Sequence, residues 1–279
     1  MKVGLFGINM NFLADPVWSK NVAQHAESLG FESLWTGEHV VLPDPREAPS
    51  PAEPETPMLH PPAHLAFLAG VTETIKLGTG ITLVAQRNPV VLAKEIGSLD
   101  VLCNGRLLFG IGAGYLHQEF AALGVDFVSR GPRTDEYIDA MRVLWREDKP
   151  EFAGRFVNFS NIQAQPRPTR PQGPPVIVGG ASPAALRRAV THGNGWYGFA
   201  MDVATTGKVL EQLELAKARH NRPDELGEME ISITPPKSPT KAMLEDYAAL
   251  GVNRVMPMLG FYNENNILQS LDDMARELI

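Results

Sequence analysis

Eight apolar, strand-like runs alternate with eight helix-like segments along the chain, and this alternation restricts the fold more than any other feature. The runs occupy 2–9, 31–36, 76–83, 106–112, 175–179, 195–200, 228–234 and 252–258. The helical segments occupy 16–29, 62–74, 90–103, 132–147, 183–192, 203–221, 240–250 and 265–278. Most runs are continuous rather than alternating, as in parallel strands buried on both faces. In the fourth helical segment Tyr137, Ile138, Met141, Leu144 and Trp145 share one face, and Pro150 closes the charged stretch that follows. Gly30 and Gly251 stand where left-handed helix caps belong. Eight β–α pairs in 279 residues predict an α/β fold, a (β/α)8 TIM barrel filling 1–279 as one domain. An open doubly wound sheet is the alternative.

Two insertions interrupt the pattern. After strand 2, residues 43–62 hold eight prolines, which excludes a helix or a central strand and leaves a lid over the mouth or a stiff surface excursion. Before strand 5, residues 150–174 combine Phe152, Phe156, Val157 and Phe159 with a proline-rich tail, the pattern of a short β excursion and a crossing loop. The net charge of −7 and the lack of a basic block argue against a nucleic-acid partner. The first apolar run is too short to span a membrane, and the single cysteine, Cys103, cannot form an intrachain disulfide. A cytoplasmic protein acting on a small molecule is expected.

Barrel enzymes build their sites at the C-terminal ends of strands. There the chain offers few carboxylates, no lysine, and many glycines: Gly80 on strand 3, Gly112 and Gly114 on strand 4, Gly179 and Gly180 on strand 5. Metal hydrolysis and Schiff-base chemistry both lack their residues. A glycine-rich, apolar mouth suits a flat organic cofactor lying against main chain. From Phe152 to Met201 there are five arginines and no acid, so that stretch carries +5 and the rest −12. Inside it, Gly179-Gly180-Ala181-Ser182-Pro183 reads as a strand end entering a helix, with Ser182 as N-cap and Pro183 at the first helical position. Free N–H groups and the helix dipole make that turn a phosphate site; an ordinary capped helix with solvated arginines is the plainer reading. The cluster Gly110-Ile-Gly112-Ala-Gly114 lacks the third glycine and the downstream acid of a dinucleotide fingerprint.

The chain carries, in order, Phe31-Glu-Ser-Leu-Trp35 with Glu38-His39, Leu77-Gly-Thr-Gly-Ile-Thr82, Arg87-Asn-Pro89, Gly105-Arg106, Gly110-Ile-Gly-Ala-Gly114 with Glu119, and Val178-Gly-Gly180 through Gly193-Asn-Gly-Trp196. Taken together, these motifs resemble the bacterial luciferase-like superfamily. The succession is most similar to the branch that uses the deazaflavin coenzyme F420 rather than FMN. The resemblance implies a homodimer of barrels with the cofactor at the mouth. It implies a non-prolyl cis peptide at Gly80–Ile81 behind the ring, with Thr82 following. It places Gly112, Ala113, Gly114 and Tyr115 beside the cofactor, and Gly179, Gly180, Ala181 and Ser182 at its phosphate. It aligns His39 with a catalytic histidine at the ring. Tyr115 stands where deazaflavin dehydrogenases of sugar phosphates carry glutamate, which puts a sugar-phosphate substrate in doubt.

His39 is the one histidine at a predicted strand end, and imidazole can give and take protons near neutrality. Glu38 can orient His39, face the insertion, or pair with Arg87. Glu119 reads as a first-turn helix residue with a dipole or capping role. Cys103, Trp196 and the ten methionines read as packing. The expectation is an oxidoreductase moving a hydride between F420 and a small, largely apolar substrate, with His39 handling the proton. An FMN-dependent monooxygenase and a catalytically silent cofactor-binding barrel are the alternatives.

Overall fold

A computed structural model describes residues 1–279. The strands are β1 (Lys2–Phe6), β2 (Ser33–Thr36), β3 (Lys76–Thr79), β4 (Thr82–Leu83), β5 (Leu107–Gly112), β6 (Phe152–Ala153), β7 (Asn158–Phe159), β8 (Val176–Gly179), β9 (Gly195–Phe199), β10 (Glu230–Thr234) and β11 (Arg254–Val255). The α-helices are α1 (Pro16–Ser28), α2 (Pro61–Ala69), α3 (Pro89–Leu102), α4 (His117–Ala122), α5 (Arg130–Arg146), α6 (Pro183–His192), α7 (Val203–Arg219), α8 (Lys241–Ala249) and α9 (Ile267–Leu278). Pairing runs β3-β2-β1-β11-β10-β9-β8-β5, and a β3–β5 contact closes the ring. Every barrel pair is parallel. This is the (β/α)8 barrel, with its insertions after the second and before the fifth barrel strand; β6 and β7 form the hairpin of the latter. No helix is long and apolar enough to cross a membrane.

Three runs are shorter or less regular than the apolar pattern predicts. The third breaks into β3 and β4 around Gly80–Ile81, whose peptide bond is cis. The eighth keeps only Arg254–Val255 as regular strand, because Pro257 has no N–H to give the ladder; its carbonyl still accepts from Phe6 N at 2.9 Å. The first stops at Phe6, where Gly7 turns with φ +92°. Helix starts follow local chemistry: Asp15, Asn88, Ser182 and Asp202 accept hydrogen bonds from first-turn N–H groups, and proline opens α1, α3 and α6.

Inside the barrel, Trp35, Leu108, Ile177, Tyr197, Met256 and Phe6 pack together. Trp35 leaves no space for a side chain on the neighbouring strand: a Cβ on Gly78 would overlap the indole ring. Below Trp35 lies Arg254, fully buried, its guanidinium 5.5 Å from the ring centroid. Arg254 donates to Glu32 at 2.7 Å and to Ser232 at 2.9 Å and pairs with Glu230. Lys76 and Lys2 complete the network on Glu32 and Glu230. Burial works to raise the Glu32 carboxyl, but Arg254 and Lys76 outweigh it and hold it down at about 2. Five strands are thereby braced by charge at the N-terminal end of the barrel.

Between α1 and α2, His64 is buried against Phe67, hydrogen-bonded through Nε2 to Ser19 Oγ, with Nδ1 unpartnered. Burial depresses its ionisation to about 4, from an ordinary value near 6.5. The folded protein thus resists a proton that the unfolded chain accepts. Stability from this group is complete above about pH 6.5 and declines as the pH falls towards 4, by at most about 3 kcal/mol. We expect the melting temperature to drop across this interval and to flatten in His64→Gln, read by circular-dichroism melts at matched ionic strength.

Candidate active site

The C-terminal ends of the strands enclose a cavity of about 290 Å³. Ile81 forms part of its floor. Its side chain turns into the barrel, and two strand positions must be glycine to admit it. A Cβ on Gly112 would overlap Ile81 Cδ1; one on Gly179 would lie 2.9 Å from it; and one on Gly110 would strike the Thr79 carbonyl and reach within 3.4 Å of Ile81 Cγ2. Phe6, Tyr197 and Phe199 line the cavity with rings in mutual contact, the Phe6–Phe199 centroids 5.2 Å apart. Met10, Met58 and Met201 complete an apolar lining.

The proline-rich insertion contributes Pro51 and Met58 to this wall. Asn9, fully buried, ties it to the barrel: its amide donates to the Gly37 carbonyl at 2.9 Å and the Leu59 carbonyl at 2.6 Å, while its Oδ1 accepts from Gly37 N at 2.8 Å. The insertion contains no helix or strand between residues 43 and 60. It walls the mouth rather than projecting from it.

One side of the cavity is polar. His39, with a side chain 9 % exposed, has Nε2 3.3 Å from the Tyr115 hydroxyl and Nδ1 3.5 Å from Glu119 Oε2. Neither Nδ1 nor Oε2 has another protein partner. The other oxygen of Glu119 accepts from Val40 N at 2.6 Å. Burial opposes ionisation of Glu119, yet the nearby His39 and Gln86 side chains and the Val40 N–H hold its carboxyl below the ordinary range. Burial, reinforced by the Glu119 charge, pushes the Tyr115 phenol up, so it remains an O–H donor at neutral pH. An anionic Glu119 favours the proton on Nδ1, leaving Nε2 to accept from Tyr115. Glu38 plays a different part. It is buried, bound to Arg87 Nη1 at 2.6 Å and to Leu83 N at 3.1 Å, and burial pushes its carboxyl up against the pull of Arg87. Of the three roles open to Glu38, pairing with Arg87 is the one seen, and Glu119 is the acid that reaches His39.

Of the sequence-predicted residues, Glu38, His39, Gly80, Ile81, Gly114, Tyr115, Gly179 and Gly180 line the cavity. Thr82, Gly112, Ala113, Ala181 and Ser182 do not. Thr82 is buried in β4, and Gly112 is buried beneath Ile81, so its lack of a side chain serves packing rather than direct lining. Ala113 is half-buried at the end of β5. Gly180, Ala181 and Ser182 are exposed at the start of α6, where Ser182 Oγ accepts from Ala185 N at 3.2 Å. Gly180 adopts φ +105°, and Trp196 Nε1 donates to its carbonyl at 2.8 Å, fixing this turn. Trp196 is therefore packing that also positions the turn.

The five arginines do not gather there. Arg187 and Arg188 both pair with Asp135 on α5 at 2.5 Å, and Arg167 pairs with Asp148 at 3.2 Å. Arg170 donates to the Gly105 carbonyl at 3.2 Å, and Arg155 stacks on Phe156. Three of the five arginines pair with acids outside the stretch, and only backbone and dipole remain at the α6 turn. Sequence reasoning also missed Glu119 as a partner of His39 and the convergence of three methionines. The only available signal was position: Met10 and Met201 each follow a barrel strand.

A family profile described as luciferase-like monooxygenase matches residues 19–277. An uncharacterized protein of Mycobacterium tuberculosis is 29% identical over 244 residues, 84% of each chain. The oxygenase component of flavin-dependent trigonelline monooxygenase from Acinetobacter baylyi is 31% identical over 202 residues, 69% of this chain and 52% of that one. An F420-dependent glucose-6-phosphate dehydrogenase of Amycolatopsis mediterranei is 29% identical over 196 residues, 68% of this chain and 53% of that one. The crystal structure of monooxygenase RslO1 from Streptomyces bottropensis superposes with a TM-score of 0.80 at 19% identity, covering 100% of this chain and 98% of that one.

The glycine assignment is open to direct measurement. Gly112→Ala should destabilise the protein by about 1–3 kcal/mol through overpacking, and Ile81→Val, which removes the clashing Cδ1, should recover most of that loss in the double variant. Urea denaturation of the single and double variants reads the coupling.

Proposed function

The chain belongs to the luciferase-like monooxygenase family, and from that premise we propose an oxidoreductase that exchanges a hydride between coenzyme F420 and a small, largely apolar organic substrate. The observation that carries this reading is the division of the cavity. One part is apolar, from Met10, Met58, Met201, Phe6 and Phe199; another presents a single proton-handling array, Tyr115–His39–Glu119. The volume of about 290 Å³ is near the lower end of small-molecule pockets, about 300–1,000 Å³. It suits a ring system and a compact substrate, with the rest of a long cofactor running outside. The exposed turn Gly180-Ala181-Ser182 lies where such a tail would leave, its N–H groups at the positive end of α6.

The deazaflavin supplies the hydride chemistry when bound. The protein's residues do the rest. Gly80, Ile81 and Gly179 give the flat support, and Gly114 and Gly180, both at positive φ, bring main chain to the edge without side chains. Phe6, Phe199 and the methionines exclude water and select against charged substrates. His39 gives or accepts the accompanying proton at Nε2, with Tyr115 beside it and Glu119 holding Nδ1. Phosphorylated sugars find no cation in the cavity lining, and Tyr115 occupies the position of the glutamate that the resemblance associates with them.

FMN with O₂ is the second reading, because flavin-dependent trigonelline monooxygenase is as similar in sequence as the F420-dependent relative. Titrating apo-protein with each cofactor by visible absorbance separates the two. We expect saturable binding of F420 and weaker binding of FMN; tight FMN binding alone would reverse the assignment. In the F420-loaded enzyme, His39→Ala should lower kcat by about 10²–10⁴ with little change in cofactor affinity. Unchanged turnover would remove His39 from the chemistry.

We further propose a homodimer through α2 and α3. α2 has no charged residue apart from buried His64, and Phe67 and Ala63 stand exposed on its outer side; Val91, at the start of α3, is 56% exposed. Helices apolar on all sides are covered on all sides. Sedimentation equilibrium should give a dimer for the wild type and a monomer for Phe67→Asp; a monomeric wild type would refute the interface.

A further inference from the structure

At the other end of the barrel, where β8, β9 and β10 begin, lies a second cavity of about 180 Å³. Three arginines line it: Arg142 and Arg146 from α5, and Arg170 from the crossing segment. Glu225, half-exposed, is the single carboxylate in the lining, so the local balance is +2 in a chain of net −7. Their donors are poorly used. Arg142 gives one N–H to the His192 carbonyl, and its Nε and Nη1 have no protein acceptor. Arg146 touches Glu225 only at 3.3 and 3.5 Å, and its Nε is buried without a partner. Arg170 gives one N–H to the Gly105 carbonyl.

This arrangement is costly for a structural device. Like charges at i, i+4 on one helix repel, and here both are partly withdrawn from water. Burial, and then the charge of Arg146, depress the ionisation of Arg142. Two carbonyls, Glu225 at 3.3 Å from Arg146 and the charge of Asp139 near Arg142 still leave most N–H groups of the three guanidinium forks without an acceptor. A tetrahedral oxyanion offers acceptors to such a set, because each of its oxygens can accept more than one N–H.

We propose that this cavity binds a phosphate group, either as inorganic phosphate or as the phosphoryl end of a small metabolite, held by Arg142, Arg146 and Arg170. Gln172 and Asn194 also line the space. Asn194 is engaged on Val176 N and the Leu226 carbonyl, so it fixes the wall, whereas the arginines hold the ligand. The site is independent of the mouth, which lies at the opposite strand ends, and of which cofactor the mouth takes.

Phosphorus-31 NMR titration of inorganic phosphate at constant ionic strength tests this. The wild type should show saturable line broadening, weakened at least tenfold in the Arg142→Gln/Arg170→Gln double variant and retained in Gly180→Val, which alters the mouth alone. Arg170→Gln, at an exposed position, provides a variant whose fold is safe and should by itself weaken binding several-fold. An unchanged isotherm in both arginine variants, or loss confined to Gly180→Val, would overturn the proposal. Repeating the titration with glycerol 3-phosphate identifies the source: tighter binding means a metabolite's phosphoryl end, and equal binding means the free anion.

Discussion

The cavity exists because the side chains filling the barrel stop at Ile81. Eight strands close on a core just wide enough for side chains, so an empty space at the mouth has to be built by placing glycine where a layer would continue. Gly112 on β5 and Gly179 on β8 let one isoleucine lie against both strands, Gly110 makes room for the Thr79 carbonyl, and Trp35, accommodated by Gly78, fills the layer beneath. A larger residue at any of these positions lifts the floor and shrinks the pocket above it. Packing in the middle of the barrel therefore determines what the mouth can hold.

The architecture was legible because period and order are local signals. Continuous apolar runs, helix caps and proline stops named every barrel strand and the eight longer helices, the first-turn reading of Glu119 anticipated the short α4, and the errors fell at strand ends where Gly7, Pro257 and the Gly80–Ile81 break end regular pairing. The site was legible only in part. Glycines at strand ends read alike whether they admit a ligand or a neighbouring side chain, and Gly112 proved to face Ile81. Arginines counted along the chain say nothing of acids across a helix interface, and Asp135 pairs with two of them. Met10, Met58 and Met201 come from three separated segments, so no window of sequence holds their convergence.

Two buried carboxylates near the mouth are driven in opposite directions. Glu38 rises through burial although Arg87 opposes it, while Glu119 falls because His39, Gln86 and Val40 N–H all stabilise its anion. Divergent environments of this kind are how one pocket separates a structural group from a functional one. Glu38 holds the Leu83 backbone and Arg87, and so the end of β4. Glu119 holds an imidazole that reaches the cavity.

The two ends of the barrel then differ in kind. At the strand starts, Arg254, Lys2 and Lys76 each pair with Glu32 or Glu230, so every cation there has a carboxylate partner within the chain. At the same end, Arg142, Arg146 and Arg170 have fewer acceptors than donors, with Glu225 on Arg146 and Asp139 acting on Arg142, whereas Asp135 pairs directly with Arg187 and Arg188. The surface of α5 thus shows both situations: Asp135 pairs with arginines from α6, while Arg142 and Arg146 face an enclosed space. A fold able to complete the first kind of pairing leaves the second incomplete only where something else supplies the acceptors.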